Sequence, residues 1–255
     1  MTTVLETEEL RKQFGELVAV DGVSLAIDDA DITSIIGPNG AGKTTFYNLL
    51  TGVLKPTAGT VRLKGDDGLV DVTGAPPHEV AKAGLSRSYQ ITNIFEGLTV
   101  RENVRIARIS RDGSRMDFLS RADSDPDMEA DVGEILTLTG LTDIAETPCD
   151  QLSHGQKRTV EIALALAIDP NVFLMDEPTA GMNPTETTEI VSLIRELNEE
   201  IDATFVVTEH DMDVVRDISD RIVVLADGAV LADGTPTEVL NDERVTEAYL
   251  GSEGQ

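Results

Sequence analysis

The stretch Gly37-Pro38-Asn39-Gly40-Ala41-Gly42-Lys43-Thr44-Thr45 restricts the chain to very few folds. It follows the apolar run Ile32-Thr33-Ser34-Ile35-Ile36, which reads as a buried strand, and precedes a helix-like segment from Thr45 to Leu50. A strand, a glycine-rich loop, Lys-Thr and a helix together make a phosphate-binding loop. Glycines let backbone N–H groups curl round a phosphate where a Cβ would collide. The helix start adds unpaired N–H donors and a partial positive charge. In such a loop Gly37, Asn39, Gly40, Ala41, Gly42 and Thr45 shape the cradle. Lys43 reaches the β- and γ-phosphates, and the Thr44 hydroxyl holds Mg²⁺. The alternative is a glycine-rich turn that happens to precede a helix. At ordinary glycine frequency, a chance match in a chain of this length is roughly a one-in-a-hundred event.

Elsewhere the pattern alternates. Residues 4–36 read as short strands with turns, including Val23 to Ile27 after a turn at Asp21-Gly22. Gly59 to Leu63 is a strand, Pro76-Pro77 opens a helix to about Ala83, and Leu85 to Tyr89 is a strand ending in Gln90. From Thr99 to Thr139 the signal is helical, interrupted by an acidic stretch around 110–127. Ser153 to Ile168 is helical, Val172 to Met175 a buried strand, Pro184 to Glu199 an amphipathic helix and Thr204 to Thr208 another buried strand. Arg221 to Leu231 reads as a hairpin turning at Asp227-Gly228, and two short helices finish the chain. Strands alternating with helices imply an α/β fold with a largely parallel, covered sheet. The division expected is one domain over 1–255. A nucleotide-binding core with its β subdomain takes 1–90 and 159–255, and a helical subdomain is inserted at 91–158.

Two further stretches carry chemistry. Val172 to Glu177 is an apolar strand ending in adjacent carboxylates, which point in different directions and so can have separate tasks. Asp176 suits Mg²⁺, and Glu177 suits polarising the water that attacks a γ-phosphate. Leu152-Ser153-His154-Gly155-Gln156 has two readings. Ser153 with Gln156 three residues on is a capping box, with which many plain helices begin. The same residues also make a second helix N-terminus that can face phosphate, with Gly155 allowing close approach.

A phosphate loop, an isolated Gln90, Leu-Ser-x-Gly-Gln, Asp-Glu twenty residues later and the strand-end His210 follow the order found in ABC ATPases. The chain resembles that family over nearly its whole length. The resemblance implies a P-loop NTPase with a mostly parallel sheet, an antiparallel β subdomain near the N-terminus and an inserted helical subdomain. It implies that Phe14 stacks on adenine, Gln90 senses Mg²⁺ and the attacking water, and His210 contacts the γ-phosphate. Ser153, Gly155 and Gln156 then bind the γ-phosphate of ATP held by a second subunit. Without the resemblance, Phe14 is a core aromatic, Gln90 a surface amide and His210 a solvated loop residue. Two positions depart from the family pattern. His154 replaces the usual first glycine of the signature, and Asn183 stands where Asp is usual, in a place where it can cap the helix opened by Pro184.

The finer resemblance is to the larger of two ATPase subunits in branched-chain amino acid importers. It is carried by Arg87-Ser88-Tyr89-Gln90, Ile94 to Val100, Gly181 to Thr187, Glu209-His210-Asp211-Met212, Ile218 to Arg221 and Ala248-Tyr249-Leu250-Gly251. It implies transmembrane permeases, a sister ATPase (a homodimer staying open), an extracytoplasmic substrate-binding protein and a place on the cytoplasmic face of the membrane. Residues 91–105 would meet the permease pair. Urea and amide importers and the ATPase of lipopolysaccharide export look similar. No Asn-Lys-x-Asp motif for reading guanine is present, and neither are the zinc cysteines or basic surface of a DNA-repair ATPase.

Composition sets the remaining bounds. There are 47 acidic residues against 20 basic ones, a net charge of −27, with the acids spread along the chain. Such a surface opposes nucleic acid and anionic lipid as direct ligands. It suits a salt-rich cytosol, where charge is screened within about 3 Å at 1 M, and points to a halophilic source. Cys149 is the only cysteine, which excludes an intrachain disulfide and fits a reducing compartment. His78, His154 and His210 show no metal-ligand spacing, no secretory leader opens the chain, and no run of apolar residues is long enough to span a bilayer.

Overall fold

A computed structural model of the chain describes residues 2–29, 31–65, 68–88, 94–111, 126–201 and 203–252. In chain order the elements are β1 (Thr3–Phe14), β2 (Leu17–Asp28), β3 (Thr33–Ile36), α1 (Lys43–Leu50), β4 (Ala58–Gly65), β5 (Gly68–Asp71), α2 (Pro77–Lys82) and β6 (Leu85–Ser88). Then come α3 (Val100–Arg111), α4 (Pro126–Leu138), α5 (His154–Leu166), β7 (Val172–Asp176), α6 (Pro184–Glu200) and β8 (Thr204–Thr208). The chain closes with α7 (Met212–Ile218), β9 (Arg221–Ala226), β10 (Ala229–Gly234), α8 (Pro236–Leu240) and α9 (Glu243–Ser252). Two compact units result, one of Met1–Arg87, Asn171–Pro178 and Asn198–Gln255, the other of Ser88–Pro170 and Thr179–Leu197.

The first unit holds both sheets. One has four strands in the order β2-β1-β4-β5, with every pairing antiparallel. The other has six, ordered β10-β9-β3-β8-β7-β6, and its centre is parallel: β3 pairs with β8 and β9, and β7 with β8. β3, β7 and β8 are buried along almost their whole length, as a parallel sheet covered on both faces requires, with Ile35-Ile36, Val172 to Met175 and Phe205 to Val207 as their apolar centres. Ile35, Phe46, Tyr47, Leu49, Leu50, Val206 and Val223 belong to one core that joins α1 to both sheets. Ile36, Val215, Ile222, Val224, Val239 and Val245 form a second, with Tyr249 of α9 packed against it.

The turn expected at Asp21-Gly22 is absent. β2 runs through it, and the register steps from Leu10↔Val23 to Lys12↔Val20, which inserts one extra residue on β2. Gly22, at φ +70°, absorbs this bulge, so a turn-like dipeptide marks a kink in a continuous strand. The β9–β10 hairpin does turn at Asp227-Gly228, with φ of +49° and +79°, the double positive φ of a type I′ turn.

The second unit is helical. Val100 and Val104 of α3, Val132 and Leu136 of α4, and Val160 and Ala163 of α5 make its core. α5 passes residue 158 unbroken, so the whole signature helix belongs to this unit together with most of α6. Tyr89, Gln90 and most of the acidic stretch around 110–127 lie outside the described residues.

Candidate active site

In the first unit, Gly42 at φ +98° forms the junction between loop and α1, and no side chain caps that helix. A Cβ on Gly42 would lie 2.3 Å from the Ala19 carbonyl oxygen of β2, so only glycine fits. The uncapped helix start leaves N–H groups aimed into the loop, as an anion site requires. The Lys43 ammonium folds back, donating to the Gly37 carbonyl oxygen and, at 3.1 Å, to that of Pro38. Burial lowers its pKa, while the charges of Glu177 and Asp176 oppose that shift. The loop has a second support at its start: the backbone of Gly37 is hydrogen-bonded to the hydroxyl of Tyr249.

β7 delivers the two carboxylates, and they do diverge. Asp176 Oδ1 accepts from the Thr208 hydroxyl at 2.7 Å, and Oδ2 from the Arg87 guanidinium at 2.8 Å. Glu177 turns away to His210, whose Nε2 lies 2.9 Å from Oε1. The divergence comes from a backbone switch: Glu177 has φ +47°, a costly conformation for a residue with a Cβ. Its N–H is held by the Thr208 carbonyl at 3.0 Å. Among the described residues no three His, Cys, Asp or Glu side chains converge as a metal cage. A strand-end carboxylate beside a phosphate loop fits Mg²⁺, which takes one or two carboxylates and fills its remaining positions with phosphate oxygens and water.

Thus the first unit gathers Lys43, Asp176, Glu177 and His210 into one cluster of polar side chains. Phe14, 45 % exposed at the end of β1, carries the Lys12 ammonium 5.0 Å from its ring centroid. Gln90 lies outside the described residues. In the second unit, Ser153 and Gln156 form the full capping box, with bonds of 3.2 and 2.9 Å. Gly155 lies beside the carboxylate of Glu186, and His154 faces the turn at Gly181. Asn183 caps α6, its Oδ1 accepting from Thr185 and Glu186 N–H at 3.0 and 3.1 Å. A shallow depression of about 590 Å³ along α6, lined by Pro184, Thr188, Glu189 and Leu193, contains no expected site residue. Sequence reasoning missed that Thr208 and Arg87 hold Asp176, and that Arg87 also donates to Asn48 Oδ1 at 2.8 Å. A lone basic residue in the mostly buried strand Leu85–Ser88 was the available signal for Arg87.

A phosphate loop after β3, a carboxylate pair at the end of β7 in the same sheet and a capped signature helix in a helical unit define an ABC-type P-loop ATPase. The chain belongs to the ABC transporter family, as an ATP-binding and ATP-hydrolysing subunit, and that family's model matches residues 20–180. A second model, the branched-chain amino acid ATP-binding cassette transporter, matches residues 229–254. The chain is 38% identical over 255 residues to the high-affinity branched-chain amino acid transport ATP-binding protein BraF of Pseudomonas aeruginosa, covering 97% of this chain and 98% of that one. It is 35% identical over 254 residues to the probable branched-chain amino acid transport ATP-binding protein LivG of Archaeoglobus fulgidus, covering 98% and 96%. Among solved structures, the ADP conformation of MJ1267, an ATP-binding cassette of an ABC transporter, superposes with a TM-score of 0.86 at 33% identity, covering 98% and 100%. A dimeric post-hydrolysis state of the cassette MJ0796 bound to ADP and Pi gives 0.71 at 30%, covering 91% and 98%.

Proposed function

We propose that this cassette powers uptake of branched-chain amino acids through separate transmembrane permeases, working with a sister ATPase on the cytoplasmic face of the membrane. The names of its full-length relatives and the family match at 229–254 support the cargo class. The observation that carries the hydrolytic half is the Glu177–His210 pair at 2.9 Å, beside Lys43. In this reading Phe14 stacks on adenine, and Gly37, Asn39, Gly40, Ala41, Gly42 and Thr45 shape the phosphate cradle. Lys43 takes the β- and γ-phosphates. Thr44 and Asp176 hold Mg²⁺, which neutralises charge on the phosphates when bound. Glu177 accepts a proton from the attacking water, His210 orients Glu177 and contacts the γ-phosphate, and Gln90 senses both metal and water. Ser153, Gly155 and Gln156 complete the site of the opposite subunit, so ATP joins two cassettes and its hydrolysis releases them.

The segment 91–105 is proposed as the permease contact. Phe95 is 56 % exposed, yet its backbone is clamped by Asn103, which accepts from Phe95 N–H at 2.8 Å and donates to its carbonyl at 3.1 Å. An exposed aromatic on a rigid clamp suits a docking knob. Among the described residues no helix is long and apolar enough to cross a membrane. The net charge of −27 supports a salt-rich cytosol. The test is a pull-down of the tagged protein from its own membranes, with partners identified by mass spectrometry. Two permeases, a sister ATPase and an amino-acid-binding lipoprotein are expected. Export components, or no membrane partner, would overturn the transport role.

A further inference from the structure

Arg87 lies on β6 with its side chain only 6 % exposed, and the hydrolytic roles above leave it unused. Nη1 donates to Asn48 Oδ1 at 2.8 Å, and Nη2 to Asp176 Oδ2 at 2.8 Å. The guanidinium carbon stands 5.4 Å from the ring centroid of Tyr47, which is itself buried. One side chain therefore ties three elements together: β6, the second turn of α1, and the end of β7. The opposite oxygen of Asp176 is held from β8 by Thr208 at 2.7 Å. A carboxylate gripped at both oxygens from different strands cannot rotate about its Cβ–Cγ bond. Its remaining lone pairs are fixed in direction.

Burying a guanidinium is a poor way to gain stability, because apolar side chains of similar volume often serve as well or better. A fixed carboxylate, by contrast, is what a metal site needs. Partners that orient a ligand typically govern 10–100-fold in metal affinity or activity.

We propose that Arg87 is a positioning residue for hydrolysis, which with Thr208 holds the Asp176 carboxylate in the orientation that receives Mg²⁺. In this role Arg87 acts on the metal only through Asp176, to which it donates at 2.8 Å, and the inference rests on the reading of Asp176 as the Mg²⁺ carboxylate. Its planar fork is specific to the task, since a lysine ammonium cannot span Asn48 and Asp176 in the same geometry.

The test is a titration of Mn²⁺, followed by electron paramagnetic resonance, into the full chain with a non-hydrolysable ATP analogue. Nucleotide affinity is measured separately in EDTA with a fluorescent ATP analogue. Arg87→Met and Thr208→Val are each expected to weaken Mn²⁺ binding by about tenfold or more, with metal-free nucleotide affinity within about twofold of the parent. Arg87→Lys should recover only part of the loss, and it remains informative if Arg87→Met does not fold. Unchanged Mn²⁺ affinity in Arg87→Met would overturn the proposal. An equal loss of metal and metal-free nucleotide binding would also overturn it, because that is what a purely structural residue does. Asp176→Asn separates the two layers. If Mn²⁺ binding survives in it, the reading of Asp176 fails. If binding is lost there and kept in Arg87→Met, only the positioning role fails.

Discussion

At the scale of single residues, function here depends on backbone conformations that few side chains tolerate. Gly42 combines φ +98° with a carbonyl 2.3 Å from where a Cβ would stand. Gly42→Ala is therefore expected to lower Tm by several degrees and weaken ATP binding at least about tenfold, measured by calorimetry and by a fluorescent analogue. Two tyrosines give the site a pH limit. Burial and the charge of Asp176 push the Tyr47 hydroxyl well above its ordinary range, and burial pushes Tyr249 up to about 12, against the opposing bond from Gly37. The unfolded chain releases these protons near pH 10 while the folded chain keeps them, so it binds fewer protons than the native state and stability falls as pH rises from about 10 to 12. The urea midpoint should drop over that interval, and Tyr249→Phe should flatten part of the drop. Lys43 was legible because it follows a strand and a glycine-rich loop, and Asp176 and Glu177 because they stand together at the end of an apolar strand. The partners of Asp176 were not, because Arg87 and Thr208 reach it from strands distant in sequence.

At the scale of elements, caps and ion pairs decide how well the site is held. Ser153 and Asn183 each satisfy N–H groups at a helix start, and replacing either by Ala should cost about 1 kcal/mol by urea denaturation. Asn183→Asp should be nearly neutral for folding, since Asp caps equally well. α3 presents Arg101, Arg105, Arg108 and Arg111 to carboxylates of its own unit: Glu146, Glu129, Asp131 and Asp169. Helical spacing, the Ser153–Gln156 capping box and the Asn183 cap were readable because they are local patterns of three to seven residues. The run of β2 through Asp21-Gly22 was not, because a bulge and a turn draw on the same dipeptides and only pairing with β1 distinguishes them. Helix α7 lacked a clear signal for a related reason: its N-cap Asp211 sits within the motif around His210, and its seven residues are too few to show a period.

At the scale of the whole molecule, 47 acidic groups face 20 basic ones, so 47 − 20 = 27 negative charges have no cation in the chain. Raising KCl from about 0.1 M to 1 M shortens the screening length from about 10 Å to 3 Å, which relieves this repulsion more than it weakens the arginine pairs of α3. Tm is expected to rise over that range, and full stability without salt would refute the salt-adapted reading. Activity must therefore be measured where the chain is folded. The decisive measurement is ATP turnover and nucleotide binding of Glu177→Gln in high KCl, beside the parent protein. Removing the proton acceptor while keeping size and hydrogen bonding should lower turnover by at least about 10²-fold, leave MgATP binding intact and trap an ATP-bound dimer detectable by size exclusion. Turnover near that of the parent would show that Glu177 is not the base and would contradict the assignment of this strand end as the hydrolytic centre.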